Sequence, residues 1–284
     1  MFSGAAPRLT TMVSGKNSKA VRNARAAVVT QRSTPWGLIA GILVVVLFAG
    51  GIFGYYIVEK GARAEFTPTA ENKDPSTKIP GVITQTYTGG QHVQPTQTVA
   101  YTHSPPFGGT HDGFWAECDG VVYPTAVRSE NMVHALEHGS VWIAYNPDRI
   151  SGDAVATLAA KVKGQPYTLM SPYPGLDQPI SLQSWGHQLK LSDANDPRID
   201  QFIQALRTNQ FAYPEVGASC TALGAGQFDR DNPPPFAPAP PTSAVNNTTV
   251  MPEVAAGAAP GAVPDAASGA APTAPAAPAT GTNG

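Results

Sequence analysis

Twenty-three consecutive positions, from Trp36 to Val58, carry no charge (WGLIAGILVVVLFAGGIFGYYIV), and no other apolar stretch approaches that length. At about 1.5 Å per residue such a helix covers the roughly 30 Å core of a bilayer. The pattern predicts one membrane span and excludes a channel or transporter built from this chain alone. Trp36, Tyr55 and Tyr56 lie at its ends, where amphipathic rings anchor a span to the headgroup layer.

Past the span the apolar positions take shorter periods. Ser129 precedes a short amphipathic helix over Glu130–His138, closed by Gly139 in the left-handed capping role. Val141–Tyr145 is an unbroken apolar run stopped by Asn146-Pro147-Asp148, the pattern of a buried strand ended by a turn. Ser151 announces a second helix in which Val155, Leu158, Ala159 and Val162 recur three and four apart, with Gly164 at the exit. Asp196 and Pro197 open a third, striped by Ile199, Phe202, Ile203 and Leu206. Tyr167–Met170, Ile180–Ser184 and His187–Leu191 read as strands. Ile79–Pro124 is turn-rich, with strand candidates near Val99–Tyr101 and Val121–Tyr123 that the pattern does not order. The fold class is α+β: short helices packed on a small sheet.

Composition divides the chain further. With 28 Pro, 28 Gly and 13% charged residues it is poor material for one uniform globule. Residues 231–284 hold 16 Ala and 12 Pro and no aromatic side chain after Phe236, so this tail is predicted to be disordered. Residues 59–78 read as a polar linker, which leaves 79–230 as one exported domain. Residues 1–35 carry six basic side chains and no acid, against 12 basic and 20 acidic residues in the rest. The positive-inside rule therefore places the N-terminus in the cytoplasm and everything past Val58 outside, at the cell membrane. A cleaved signal peptide is the alternative, since Ala62-Arg63-Ala64 has the small-x-small form, although 23 apolar residues are many for one. The acidic balance past the span excludes a nucleic-acid-binding domain, which needs a basic face.

Cys118 and Cys220 are the only cysteines, both past the span, where oxidation is permitted. A Cys118–Cys220 disulfide is the economical use of the pair; two thiolates of a soft-metal site are the other reading. Five of six histidines, His92, His103, His111, His134 and His138, fall within 47 residues. On a helix, Glu130, His134, Glu137 and His138 share an arc of roughly 100°, with Met132 and Leu136 on the opposite side. Two imidazoles one turn apart can share a metal ion, and imidazole with carboxylate suits zinc, copper or iron. The string also fits H-x-x-E-H, in which two histidines hold zinc and the glutamate is the base of a peptidase. The alternative is the solvated face of an amphipathic helix, or histidines satisfied by hydrogen bonds. Trp115, Trp142 and Trp185 read as core.

His92-Val93, Tyr101, Ser104-Pro105-Pro106 with Gly109 and His111, Gly120-Val121-Val122-Tyr123, and the run from Val133 to Val141 (VHALEHGSV) together resemble the bacterial family catalogued as domain of unknown function 3105. Ser184-Trp185-Gly186 and Pro214-Glu215 extend the resemblance over about residues 80–220. The family pattern reads P-P-T-S-G-x-H, and Phe107-Gly108 stands here in place of its hydroxyl pair. His92, His111, His134, Glu137 and His138 occupy motif positions, whereas His103 and His187 do not. The Pro/Gly turn would aim His111 at the helix pair. The reading is thus a membrane-anchored envelope protein. Its exported domain holds one transition metal ion, copper or zinc, through His134, His138 and His111, with His92 and Glu137 at the same site. Its partners are the membrane and cell-wall or envelope proteins. An envelope scaffold with structural histidines, or a metal-dependent hydrolase, are the alternatives.

Overall fold

A computed structural model describes residues 35–221, 224 and 226–256. The chain forms two units, one ending at Glu59 and the other starting at Lys60. The first is carried by helix α1 (Trp36–Glu65), which runs on past the unit boundary. Its stretch Trp36–Ile57 has a mean hydropathy of 2.5 and is the one described helix long and apolar enough to cross a membrane. Leu38, Leu47, Phe48 and Ile52 are exposed around it, so no face is set aside for a protein core. The predicted basic segment before it lies outside the described residues.

The second unit is α+β. Its sheet holds six strands: β1 (Ile83–Thr84), β5 (Asp119–Val122), β6 (Val141–Tyr145), β7 (Thr168–Pro172), β8 (Ile180–Ser184) and β9 (His187–Leu191), in the spatial order β1-β9-β8-β6-β7-β5. β6 pairs antiparallel with β8 and parallel with β7, so it is central. Two short parallel pairs stand apart from the sheet: β2 (His92–Val93) with β4 (His111–Asp112), and β3 (Thr98–Ala100) with β10 (Val250–Pro252).

The unbroken apolar run of β6 follows from its position, because both faces are covered. Trp142 and Ala144 pack with Met132, Val133, Ala135 and Leu136 of helix α2 (Ser129–Glu137). Val141 and Ile143 face Leu158 and Val162 of α3 (Asp153–Val162) and Ile199 and Phe202 of α4 (Arg198–Leu206). The helix stripes and the β8 and β9 bounds agree with the periodicity. Helix α2 starts one residue earlier than expected: Ser129 is its first residue, Arg128 stands at the cap without a side-chain cap bond, and His138 is the C-cap.

Gly139 then turns the chain with φ 90°, and a Cβ placed there would lie 2.6 Å from the Tyr213 ring. Both the backbone and the ring oppose a side chain. Gly139→Ala is expected to destabilise the domain by about 1–3 kcal/mol, read as a lower thermal midpoint; an unchanged midpoint would show that the turn is not constrained.

One alternative reading is set aside and two boundaries move. The arc of α2 that carries Glu130, His134, Glu137 and His138 does not face solvent: every residue of the helix is buried, and His138 after it is too. The turn-rich stretch before it and residues 213–221 lie over that arc, a tertiary covering that helical periodicity does not register. The second half of the linker belongs to the domain. Asp74 caps a 3-10 turn over Pro75–Lys78 and pairs with His187 at 3.2 Å, and Asn209 Nδ2 donates to the Lys73 carbonyl.

The tail does not lose order at residue 231. The Pro234 carbonyl accepts from Arg128 N, β10 pairs with β3, and Glu253 accepts from Thr102 N at 2.8 Å. Averaging over a Pro/Ala-rich tail concealed Val250-Met251, an apolar pair behind the polar run Asn246–Thr249 that can close on a strand edge. Residues 257–284, on which the rest of the prediction of disorder falls, lie outside the described residues.

Cys118 and Cys220 form a disulfide across a sequence separation of 102, with both residues buried. Beside it Cys118 N donates to the Cys220 carbonyl at 3.0 Å. The bridge ties the segment holding Glu215 and Ser219 to the strand region before α2.

Candidate metal centre

Four chain segments converge on one end of α2. The β2/β4 pair sets His92 directly opposite His111, so the two imidazoles leave neighbouring strands together, 4.8 Å apart. Helix α2 adds His134, whose ring lies 5.1 Å from His92 and 4.7 Å from His111. One turn on, Glu137 brings a fully buried carboxylate. The ligand atoms of His92, His111, His134 and Glu137 lie within 4.8 Å of one another, and those of His134, His138 and Glu215 form a second group of the same tightness.

Backbone carbonyls orient three of the rings. Nδ1 of His111 lies 2.8 Å from the Gly109 carbonyl, Nδ1 of His134 2.6 Å from that of Asp112, and Nδ1 of His138 2.6 Å from that of Ser219. A carbonyl only accepts, so each Nδ1 carries the proton and donates. Each Nε2 is left with its lone pair turned inward. Carbonyl contacts of this kind are how proteins fix the tautomer and the aim of histidines that bind metals.

The carboxylates are held as deliberately. Glu137 Oε1 accepts from Gly90 N at 2.7 Å, and a Cβ on the neighbouring Gly89 would come within 2.8 Å of that oxygen. Its Oε2 lies 2.7 Å from His111 Nε2, yet neither atom has a hydrogen-bond partner of acceptable angle among the described residues. Two buried polar atoms at that spacing without a hydrogen bond are costly. A cation coordinated by both would relieve that cost. Glu215 Oε2 stands 3.2 Å from His138 Nε2, its side chain 41% exposed. Glu130, on the same predicted arc, serves the fold instead: it accepts from Val99 N and pairs with Arg128, which also pairs with Asp112.

Burial, followed by the charge of His111 and His138, holds His134 well below the ordinary histidine range. Burial likewise lowers His138 against the pull of the Ser219 carbonyl, and burial with the charge of His111 lowers His92. Burial alone would raise Glu137, but the His111 imidazole and the Gly90 amide outweigh it and hold the carboxyl below its usual value. His92, His134 and His138 are thus biased toward the neutral form and Glu137 toward the ionised one, the protonation states that ligation needs.

Below about pH 6.5 the unfolded chain takes up protons that His92, His134 and His138 refuse in the folded state, so their contribution to stability is complete above that value and is lost as pH falls toward the lowered folded values. Depression of Glu137 acts in the same direction. With metal chelated, denaturant midpoints should fall steadily between pH 7 and 5; a flat profile would mean that the rings are free to protonate in place.

All five predicted site residues lie in this cluster, with His138 in the group that His134 shares with Glu215. His103 and His187 lie in neither group. Glu215 was visible in sequence only as part of a motif, because nothing local distinguishes it from other exposed acids. Trp142 and Trp185 are core, Trp185 also meeting His111 at 5.8 Å, whereas the half-buried Trp115 rests 4.6 Å from His138 and 5.5 Å from His134.

Fold and site together define a disulfide-closed α+β domain with a buried imidazole and carboxylate cluster. Residues 92–222 match the family described as Protein of unknown function (DUF3105), and over that stretch, which contains every cluster residue and both cysteines, the chain resembles it. Neither a curated protein nor a solved structure matches the chain.

Proposed function

We propose that this is a single-pass membrane protein whose extracytoplasmic domain, residues 79–230 with the packed segments on either side, binds one divalent copper or zinc ion through His92, His111, His134 and Glu137. The observation that carries the reading is the convergence of three imidazoles and a carboxylate within ligand distance. Two of the rings are aimed by backbone carbonyls, and the closest nitrogen and oxygen have no hydrogen bond. Three nitrogens and one oxygen suit a tetrahedral zinc ion or the four strong positions of a tetragonal divalent copper ion. Glu137 is read as a ligand and not as a peptidase base, since one oxygen is committed to Gly90 and the other faces His111.

The uncharged α1 stretch, the basic residues before it and the disulfide past it support anchoring with the domain outside, facing cell-wall or envelope proteins. Elemental analysis of the full-length chain purified in detergent tests the metal. About one copper or zinc per chain is expected, and a metal-free protein that takes up neither ion on addition would sink the reading. A reporter active only outside the cytoplasm, fused after Gly61, tests the placement. Activity of a cytoplasmic reporter there would reverse it.

A further inference from the structure

We infer that His138 and Glu215 form an outer seat through which the metal ion reaches the inner site, with His134 passing it from one to the other. The inference rests on the metal-binding reading above. His134 belongs to both ligand groups, but its Nδ1 is committed to the Asp112 carbonyl and only Nε2 is available. One nitrogen serves one ion at a time, so the two groups are successive positions of a single ion.

Each group has one open edge, Glu215 in the outer and His92 in the inner, and the carboxylate is the better first ligand for a hydrated ion. Glu215 is 41% exposed, His138 and His134 are almost covered, and His111 and Glu137 are fully buried. An ion arriving from solvent meets a half-exposed carboxylate first, a hard and hydrated-ion-tolerant ligand, and then imidazoles that replace its water. His138 is aimed with the same care as the inner rings, through the Ser219 carbonyl. Glu215 N donates to the Glu137 carbonyl at 3.3 Å, which fixes the outer segment against the helix end. His92, with 43% of its side chain open, is the rival entrance; as an inner ligand its removal lowers affinity, whereas loss of the outer seat slows uptake alone.

Trp115, against His134 and His138, and Trp185, against His111, report the two positions by quenching when Cu²⁺ arrives. The test is stopped-flow quenching of the full-length chain in detergent with Cu²⁺ as the probe. His138→Ala and Glu215→Gln should each bind one Cu²⁺ with affinity within about threefold of the parent chain, while uptake slows about tenfold. Trp115 should quench before Trp185 in the parent chain, as Trp115→Phe would show by removing the early phase. Should His138→Ala fail to fold by circular dichroism, Glu215→Gln, altered at a half-exposed position, decides alone. Unchanged uptake rates would overturn the relay, and so would two Cu²⁺ per parent chain, which would make His138 and Glu215 a permanent second site. A parent chain that binds no Cu²⁺ would instead overturn the metal reading itself.

Discussion

His111→Ala should abolish the stabilisation that copper or zinc gives to this protein. In the parent chain, an ion at about a hundred times its dissociation constant stabilises the folded state by about 2.7 kcal/mol, a rise of several degrees in thermal midpoint. His111 is at the centre of the inner group, in ring contact with both His92 and His134 and 2.7 Å from the Glu137 carboxylate. Its loss removes a ligand and leaves Glu137, fully buried, facing a gap.

The variant should therefore show two separable changes. Without metal it should be less stable by about 1–3 kcal/mol, the usual consequence of emptying a buried site, because the contact it breaks with Glu137 is not a hydrogen-bonded ion pair. With metal it should gain nothing. Pairing His111→Leu with Glu137→Gln removes the stranded charge, and should recover most of the metal-free stability without restoring the response to metal. His92→Ala, at the exposed rim, should keep its fold and lose part of the response. If the parent chain gains no stability from either ion, while His111→Ala is still less stable, the histidines are structural.

Removing the disulfide should have an effect of similar size by a different route. Cys118 and Cys220 close a loop of about a hundred residues, for which restriction of the unfolded chain is worth about 2–5 kcal/mol. Cys118→Ala with Cys220→Ala should lower the denaturant midpoint accordingly, and reductant should lower the parent midpoint while leaving the variant unmoved. A local consequence follows, because Ser219 stands next to Cys220 and its carbonyl holds His138. Freed of the bridge, that segment should orient His138 less well, so uptake of Cu²⁺ should slow in the same variant. Equal midpoints in the two chains would show that the bridge adds nothing beyond the packing around it.

The sequence by itself determined the elements whose signal is local. The uncharged run became α1, the three-and-four spacing became α3 and α4, and the unbroken run at Val141–Tyr145 became the central strand. The chemistry of the site was legible for a similar reason: four imidazoles and a carboxylate are rare residues gathered in a short span, and His134, Glu137 and His138 sit on one arc of a helix.

Only the tertiary structure decided that no face of that helix meets water, which set aside the alternative of a solvated polar face. Periodicity records that polar and apolar residues occupy opposite sides, but not that a second segment lies over the polar side and supplies His92, His111 and backbone carbonyls to it. The division of the histidines into two groups sharing His134 depends on where Glu215 lands, 77 positions along the chain from His138. That proximity is set by the Cys118–Cys220 bridge and by the packing of Tyr213 on Gly139. The closing of Val250–Pro252 on Thr98–Ala100 is likewise a pairing of distant edges, for which two apolar residues in a polar run are too slight a local signal. Contacts between residues far apart in sequence are chosen by the whole fold, because each strand edge or ring accepts many partners and only the shared core selects one.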